Sequence, residues 1–115
     1  MGESPRRGEV WMTQFAPGVG SEVSDRHPAV IIQNDIGNEL SSTTVVVAIT
    51  SKWERVYRFM VRLDPPEGGL TCPSVVNGSS IATVARIRLL RRMGRLSPER
   101  MADVERAIKA NLALD

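Results

Sequence analysis

Residues 43–50, TTVVVAIT, are β-branched at every position except one. Such side chains are stiff in the rotamers that a pleated strand favours and crowd a helix, so this stretch is a strand and the chain around it must supply a sheet.

The flanking segments read accordingly. Val10, Met12 and Gln14 alternate with Trp11, Thr13 and Phe15 until APGVG breaks the pattern, which predicts a first strand. Pro28 cannot donate a ladder hydrogen bond and is expected to start a second strand, whose run AVII lacks polar alternation and should be buried on both faces. QNDIGN, residues 33–38, reads as a polar turn. Residues 53–63 alternate with period two and predict a half-exposed strand, ended by PPEGG. Short strands are expected at 74–76 and 81–84 around NGSS, followed by a turn and a final short strand over 86–96. Ser97 as N-cap, Pro98 in the first turn, and Met101, Val104, Ile108 and Leu112 at helical spacing predict one amphipathic helix. The order has too few helices for a parallel doubly wound sheet. A mainly β fold is expected, a small antiparallel barrel with a C-terminal helix.

At 115 residues the chain is expected to be a single domain, 6–115, behind a loose tail at 1–5. Aromatics make up only 4% of it, so the core must be aliphatic. Cys72 is the only cysteine, which excludes an intrachain disulfide and makes a cytoplasmic location the expectation. The N-terminus lacks a signal-peptide core, and the longest apolar run, 45–49, is too short to cross a bilayer.

One histidine, one cysteine and no clustered carboxylates offer no metal site, and no nucleophile elbow or phosphate-cradling loop is present, so no cofactor is expected. Function points instead to residues 17–38, where a glycine-spaced loop leads to Glu22, Asp25, Arg26 and the lone His27, ahead of the buried strand. Histidine moves protons near neutrality and arginine binds phosphate in a fork, a pair suited to cleaving a phosphodiester by general acid–base chemistry. The other reading of His27 is a packed histidine before a proline. Arg86, Arg88, Arg91, Arg92 and Arg95 form a run without a carboxylate, either a surface for a polyanion or a solvated face.

Taken together and in order, RRGEVW, PGVGSE, a basic pair before PAVIIQNDIGN, VVVAITSK, PSVV and GRLSPERMADVERAI resemble the MazF/PemK family of toxin endoribonucleases over residues 6–114. The resemblance implies an SH3-like barrel of the MazF/PemK/CcdB type and a homodimer. It also implies metal-free cleavage of single-stranded RNA to a 2′,3′-cyclic phosphate and a 5′-OH, restraint by a cognate antitoxin, and DNA contact only through that antitoxin. Glu22 falls in the GSE motif with Gly20 and Ser21, and Thr50 falls in ITSK with Ser51 and Lys52. Glu22 and Thr50 are thereby implied in catalysis, and Gly20, Ser21, Ser51 and Lys52 in RNA binding.

Two departures matter. The family's catalytic arginine stands directly before the proline, whereas here His27 holds that place and Arg26 stands one step back. Neighbours in a strand point to opposite faces, so His27 is expected to take the acid–base role while Arg26 supplies charge. The family's Gln-Ile-Arg-Thr run is replaced by Ser80, Ile81, Ala82 and Thr83, which leaves Ser80, Thr83 and Arg86 as candidate RNA contacts. The alternatives are a non-cleaving RNA-binding module and a gyrase poison of the CcdB type. The latter needs apolar and aromatic residues at the extreme C-terminus, and this chain ends LALD.

Overall fold

The computed structural model describes residues 4–114; Met1 to Glu3 of the expected tail lie outside them. Six strands form one sheet: β1 (Glu9–Phe15), β2 (Asp25–Ile31), β3 (Thr43–Thr50), β4 (Met60–Leu63), β5 (Ser74–Ala85) and β6 (Leu89–Arg95). Their order across the sheet is β4-β5-β3-β2-β1-β6, and every pairing is antiparallel. Two helices are added, α1 (Asp35–Leu40) and α2 (Pro98–Leu112). The mainly β architecture with its C-terminal helix is as expected, with one refinement. No ladder joins β4 to β6 among the described residues, so the barrel is not closed by hydrogen bonds.

A glycine seam bridges that gap. The 3₁₀ turn Glu67–Gly69 after β4 packs on β6, where a Cβ on Gly94 would stand 2.6 Å from the Gly68 carbonyl carbon and 2.7 Å from the Gly69 nitrogen. Only backbone without side chains can approach this closely. Arg100 at the start of α2 then clamps the turn: its Nε and Nη2 donate to the two carboxylate oxygens of Glu67 at 2.8 and 3.0 Å.

Each face of the sheet buries its own apolar cluster. On one face Val10, Val30, Val47, Ile49, Leu63 and Val76 pack under α2 through Met101, Val104 and Ala107. Phe15, Ala29, Ile31, Val46, Ala48 and Val84 form the cluster on the other. The strand β3 feeds both, as its alternation requires, and buries Val46, Val47, Ala48 and Ile49.

Four local readings change. QNDIGN is not simply a polar turn but leads into α1, whose first turn is capped by Asn34 accepting from the Gly37 amide at 2.8 Å. Asn38 is fully buried; its Oδ1 accepts from the Thr44 hydroxyl at 2.7 Å and from Gln33 Nε2 at 3.0 Å. Asp35 is held below its ordinary carboxyl value, first by the Arg7 amide that donates to it. The strand expected at 53–63 begins only at Met60, because the Met60 amide turns back onto Tyr57 O at 2.9 Å. The strands expected on either side of NGSS are one strand, β5, bulged at that stretch: its pairing with β3 jumps from Val47↔Ile81 to Ile49↔Val76. Finally, β2 starts at Asp25 and not at Pro28, so Arg26 and His27 belong to the strand rather than to the segment ahead of it. The turn and short strand expected over 86–96 are present, as the 3₁₀ turn Arg86–Arg88 and β6.

Candidate nucleic-acid interface

The connection between β1 and β2, residues 16–24, folds over the face that α2 leaves uncovered. Gly20 holds φ 61° at the tip, a left-handed conformation suited to glycine. Glu22 ties the loop together, its Oε1 accepting from the Val19 amide at 2.9 Å while its own amide donates to Val19 O at 3.1 Å.

Between this loop and the β5 bulge lies a cleft of about 720 Å³. Four of the residues named from sequence line it: Ser21 and Glu22 from the loop, Ser80 and Thr83 from β5. The bulge residue Asn77 lines it too, with Oδ1 accepting from the Ser79 amide at 3.1 Å and the Ser79 hydroxyl at 2.7 Å. The arginine that lines it is Arg88, whose Nη1 donates to Gln14 O at 3.2 Å. Arg86 instead starts the 3₁₀ turn, its amide donating to Ser42 O at 2.9 Å. Asn77 was visible in sequence only as part of a small-residue stretch. Arg88 was visible only as one of a run, because the 3₁₀ turn decides which arginine points to the loop.

Thr50, Ser51 and Lys52 lie at the end of β3. The Thr50 hydroxyl accepts from the Lys52 amide at 3.1 Å and donates to Lys52 O at 3.3 Å, while Ser51 and Lys52 are exposed. The β2–β3 register pairs Ala29 with Ala48 and Ile31 with Val46. Continued by two residues, that register sets His27 across from Thr50 on the same face. His27 also meets Phe15 edge-on, ring centroids 6.3 Å apart, and Phe15 lines the cleft. One sheet face thus carries His27, Thr50, Phe15 and the cleft.

Arg26 is on the other face. It pairs with Gln14 across the β1–β2 ladder, and its Nε donates to Gln14 Oε1 at 3.1 Å. Arg26 itself is exposed, near the start of β2. Among the described residues no group of three or more His, Cys, Asp or Glu side chains is gathered as a metal would need, and no helix is long and apolar enough to cross a membrane.

Comparison with known proteins gives one consistent result. Residues 6–112 match the family model for the PemK-like, MazF-like toxin of type II toxin-antitoxin systems. The chain is 35% identical over 114 residues to the endoribonuclease MazF9 of Mycobacterium tuberculosis, covering 95% of this chain and 97% of the relative. It is 36% identical over 110 residues to the endoribonuclease EndoA of Bacillus subtilis, covering 95% of each. Among solved structures, a mycobacterial endoribonuclease in complex with its cognate antitoxin superposes with TM-score 0.81 at 25% identity, over 97% of this chain and 98% of that one. MazF from Deinococcus radiodurans shares the fold with TM-score 0.84 at 21% identity, over 97% and 99%. With the whole sheet and α2 inside the matched span, the chain belongs to the PemK-like, MazF-like family of type II toxins.

Proposed function

We propose that this toxin cuts single-stranded RNA without a metal ion, at a site built from His27 and Thr50 on one sheet face, with Arg26 and Glu22 at its margins. Endoribonuclease activity comes with family membership, since curated endoribonucleases match over nearly the whole chain. What supports the site is the β2–β3 register, whose continuation by two residues past Ala29 and Ala48 would set His27 across from Thr50, and the edge contact of His27 with the cleft-lining Phe15.

In the proposed reaction the substrate's 2′-oxygen attacks the adjacent phosphorus, and the bond to the 5′-oxygen of the next nucleotide breaks. The products are a 2′,3′-cyclic phosphate and a 5′-OH. The Glu22 carboxylate takes the proton of the 2′-OH, the His27 imidazole delivers a proton to the leaving 5′-oxygen, and the Thr50 hydroxyl donates to a phosphate oxygen as charge builds there. Arg26 neutralises phosphate charge from the strand end. Gly20, Ser21, Ser51, Lys52, Ser80 and Thr83 contact the RNA, with Arg88 in the place first assigned to Arg86.

The toxin works as a homodimer, which the exposed apolar side chains of Ile87 and Leu90 beside and on β6 support. It acts in the cytoplasm, where a cognate antitoxin restrains it; the antitoxin complex of the mycobacterial relative supports that partner. DNA is reached only through the antitoxin.

A non-cleaving RNA-binding module is the second reading, and the placement of Arg26 on the face away from Thr50 is what favours it. Incubation with a long unstructured RNA in excess chelator, followed by mapping of the 5′ ends, separates the two. Defined cuts bearing 5′-OH groups are expected; salt-sensitive binding without cuts by the folded protein would select the binding module.

A further inference from the structure

The bulge in β5 brings Asn77, Ser79 and Ser80 to the loop cleft, and their hydrogen bonds fix what they can recognise. Gly78 holds them in place. Its amide donates to Phe59 O at 2.7 Å, and a Cβ there would stand 2.4 Å from that oxygen and 3.2 Å from Ala107 O. The bulge is thus pinned against the turn before β4 and against α2, so Asn77 and Ser80 meet a ligand already positioned.

The Asn77 amide has one orientation. The Ser79 backbone N–H lies 3.1 Å from one of its terminal atoms and can only donate, so that atom is Oδ1. The Ser79 hydroxyl donates to the same oxygen at 2.7 Å, which fills both lone pairs. Asparagine reads adenine by using its oxygen and nitrogen together, but here only Nδ2 is left. One Nδ2 hydrogen goes to Ser80 Oγ over a long 3.4 Å, and the second has no acceptor among the described residues. Ser80 accepts in that pair, so its own hydroxyl hydrogen is available as well. Two adjacent donors result.

The pair lies close to the proposed chemistry. Val75 is paired with Thr50 on β3, while Arg62 and Met60 of β4 pair with Val75 and Asn77. Val75 and Asn77 therefore share the Thr50 face, about 7 Å apart along the strand.

We infer that Asn77 and Ser80 are the specificity-determining pair for RNA, donating together to O6 and N7 of a guanine that flanks the scissile bond. The inference rests on the RNA-cutting function proposed above. Single-stranded RNA leaves base edges open to such contacts. Adenine and uracil set a donor beside each acceptor along the edge and offer no adjacent acceptor pair. Guanine offers O6 and N7, and cytosine offers O2 and N3. The cytosine pair is attached to one carbon and stands closer together, so donor atoms 3.4 Å apart match guanine.

The test is fluorescence anisotropy with labelled 2′-deoxy oligouridines, which lack the attacking oxygen, carrying one central guanine, cytosine or adenine, beside mapping of cuts in a long RNA. Wild type is expected to hold the guanine probe at least about tenfold more tightly than the adenine probe, and its cuts to share a guanine at one fixed position. Asn77→Asp keeps the oxygen that Ser79 bonds but turns the outward donor into an acceptor. It should favour the adenine probe over the guanine probe at unchanged thermal unfolding. Equal binding of the probes by wild type, tightest binding of the cytosine probe, or an unchanged ranking in Asn77→Asp would overturn the inference. Cuts that share no guanine would overturn it while the RNA-cutting function stands. A guanine preference in binding that Asn77→Asp reverses, without any cuts, would support the pair and overturn the cutting function instead.

Discussion

Arg26 donates from Nε to Gln14 Oε1 at 3.1 Å, and this bond lies on the sheet face turned away from His27. The basic dipeptide is thus divided between two faces, and its members are expected to fail differently. Arg26→Ala should raise KM for RNA roughly tenfold and flatten the salt dependence of binding, as loss of one phosphate contact does, with a smaller effect on kcat. Steady-state cleavage at two salt concentrations checks this.

Thr50→Val removes the hydroxyl while keeping the β-branched shape that β3 needs. Loss of a donor to developing phosphate charge predicts a fall of roughly a hundredfold in kcat. The hydroxyl also caps the exposed Lys52 amide at 3.1 Å, so a stability loss of about 1 kcal/mol accompanies it. Chemical denaturation beside single-turnover cleavage separates the two effects.

The clamp between Glu67 and Arg100 predicts an acid-sensitive fold. The hydrogen-bonded Arg100 guanidinium holds the Glu67 carboxyl below its ordinary value, against burial, which pushes it up. Glu67 in turn raises Arg100. A carboxyl whose folded pKa lies below its unfolded one contributes stability that is complete above the unfolded value and is lost as pH falls through the folded value. Denaturation midpoints should therefore drop on acidification through and below the ordinary glutamate range. Glu67→Gln should be about 1 kcal/mol less stable at neutral pH and flatter across that acid range.

How far this could be foreseen varied with how local the cause was. The helix α2 was legible because Ser97 caps it, the Ser97 hydroxyl accepting from the Arg100 amide at 3.1 Å, and because Met101 and Val104 recur on one face. The strand β3 followed from its β-branched run. By contrast, α1 depends on the burial of Asn38 against Thr44, a contact six residues apart that no periodicity announces. The alternation over 53–63 was real, but Gly78 captures Phe59 O and leaves only Met60–Leu63 paired with β5. Of the cleft-lining residues, Ser21 and Glu22 were singled out through the GSE motif, and Ser80 and Thr83 where the chain departs from the family's Gln-Ile-Arg-Thr run. Arg88 was not, because its direction depends on a 3₁₀ turn between two strands.

Asn38 is the corresponding stability prediction. Asn38→Leu keeps the volume but strands the fully buried Thr44 hydroxyl and leaves Gln33 Nε2 with only its bond to Thr43 O. A loss of about 2 kcal/mol in denaturant unfolding is expected. The double variant with Thr44→Val should recover part of it, since removing both partners leaves less unsatisfied.

The central claim is that His27 stands where the scissile phosphate is handled, on the face it shares with Thr50. The direct measurement is single-turnover cleavage of one end-mapped RNA by wild type, His27→Ala and His27→Arg in excess chelator. The account predicts that His27→Ala loses at least roughly a hundredfold in rate, that His27→Arg keeps substantial activity, and that cuts retain 5′-OH ends at the same positions. Cleavage by His27→Ala at the wild-type rate, with the same cyclic-phosphate product, would contradict it.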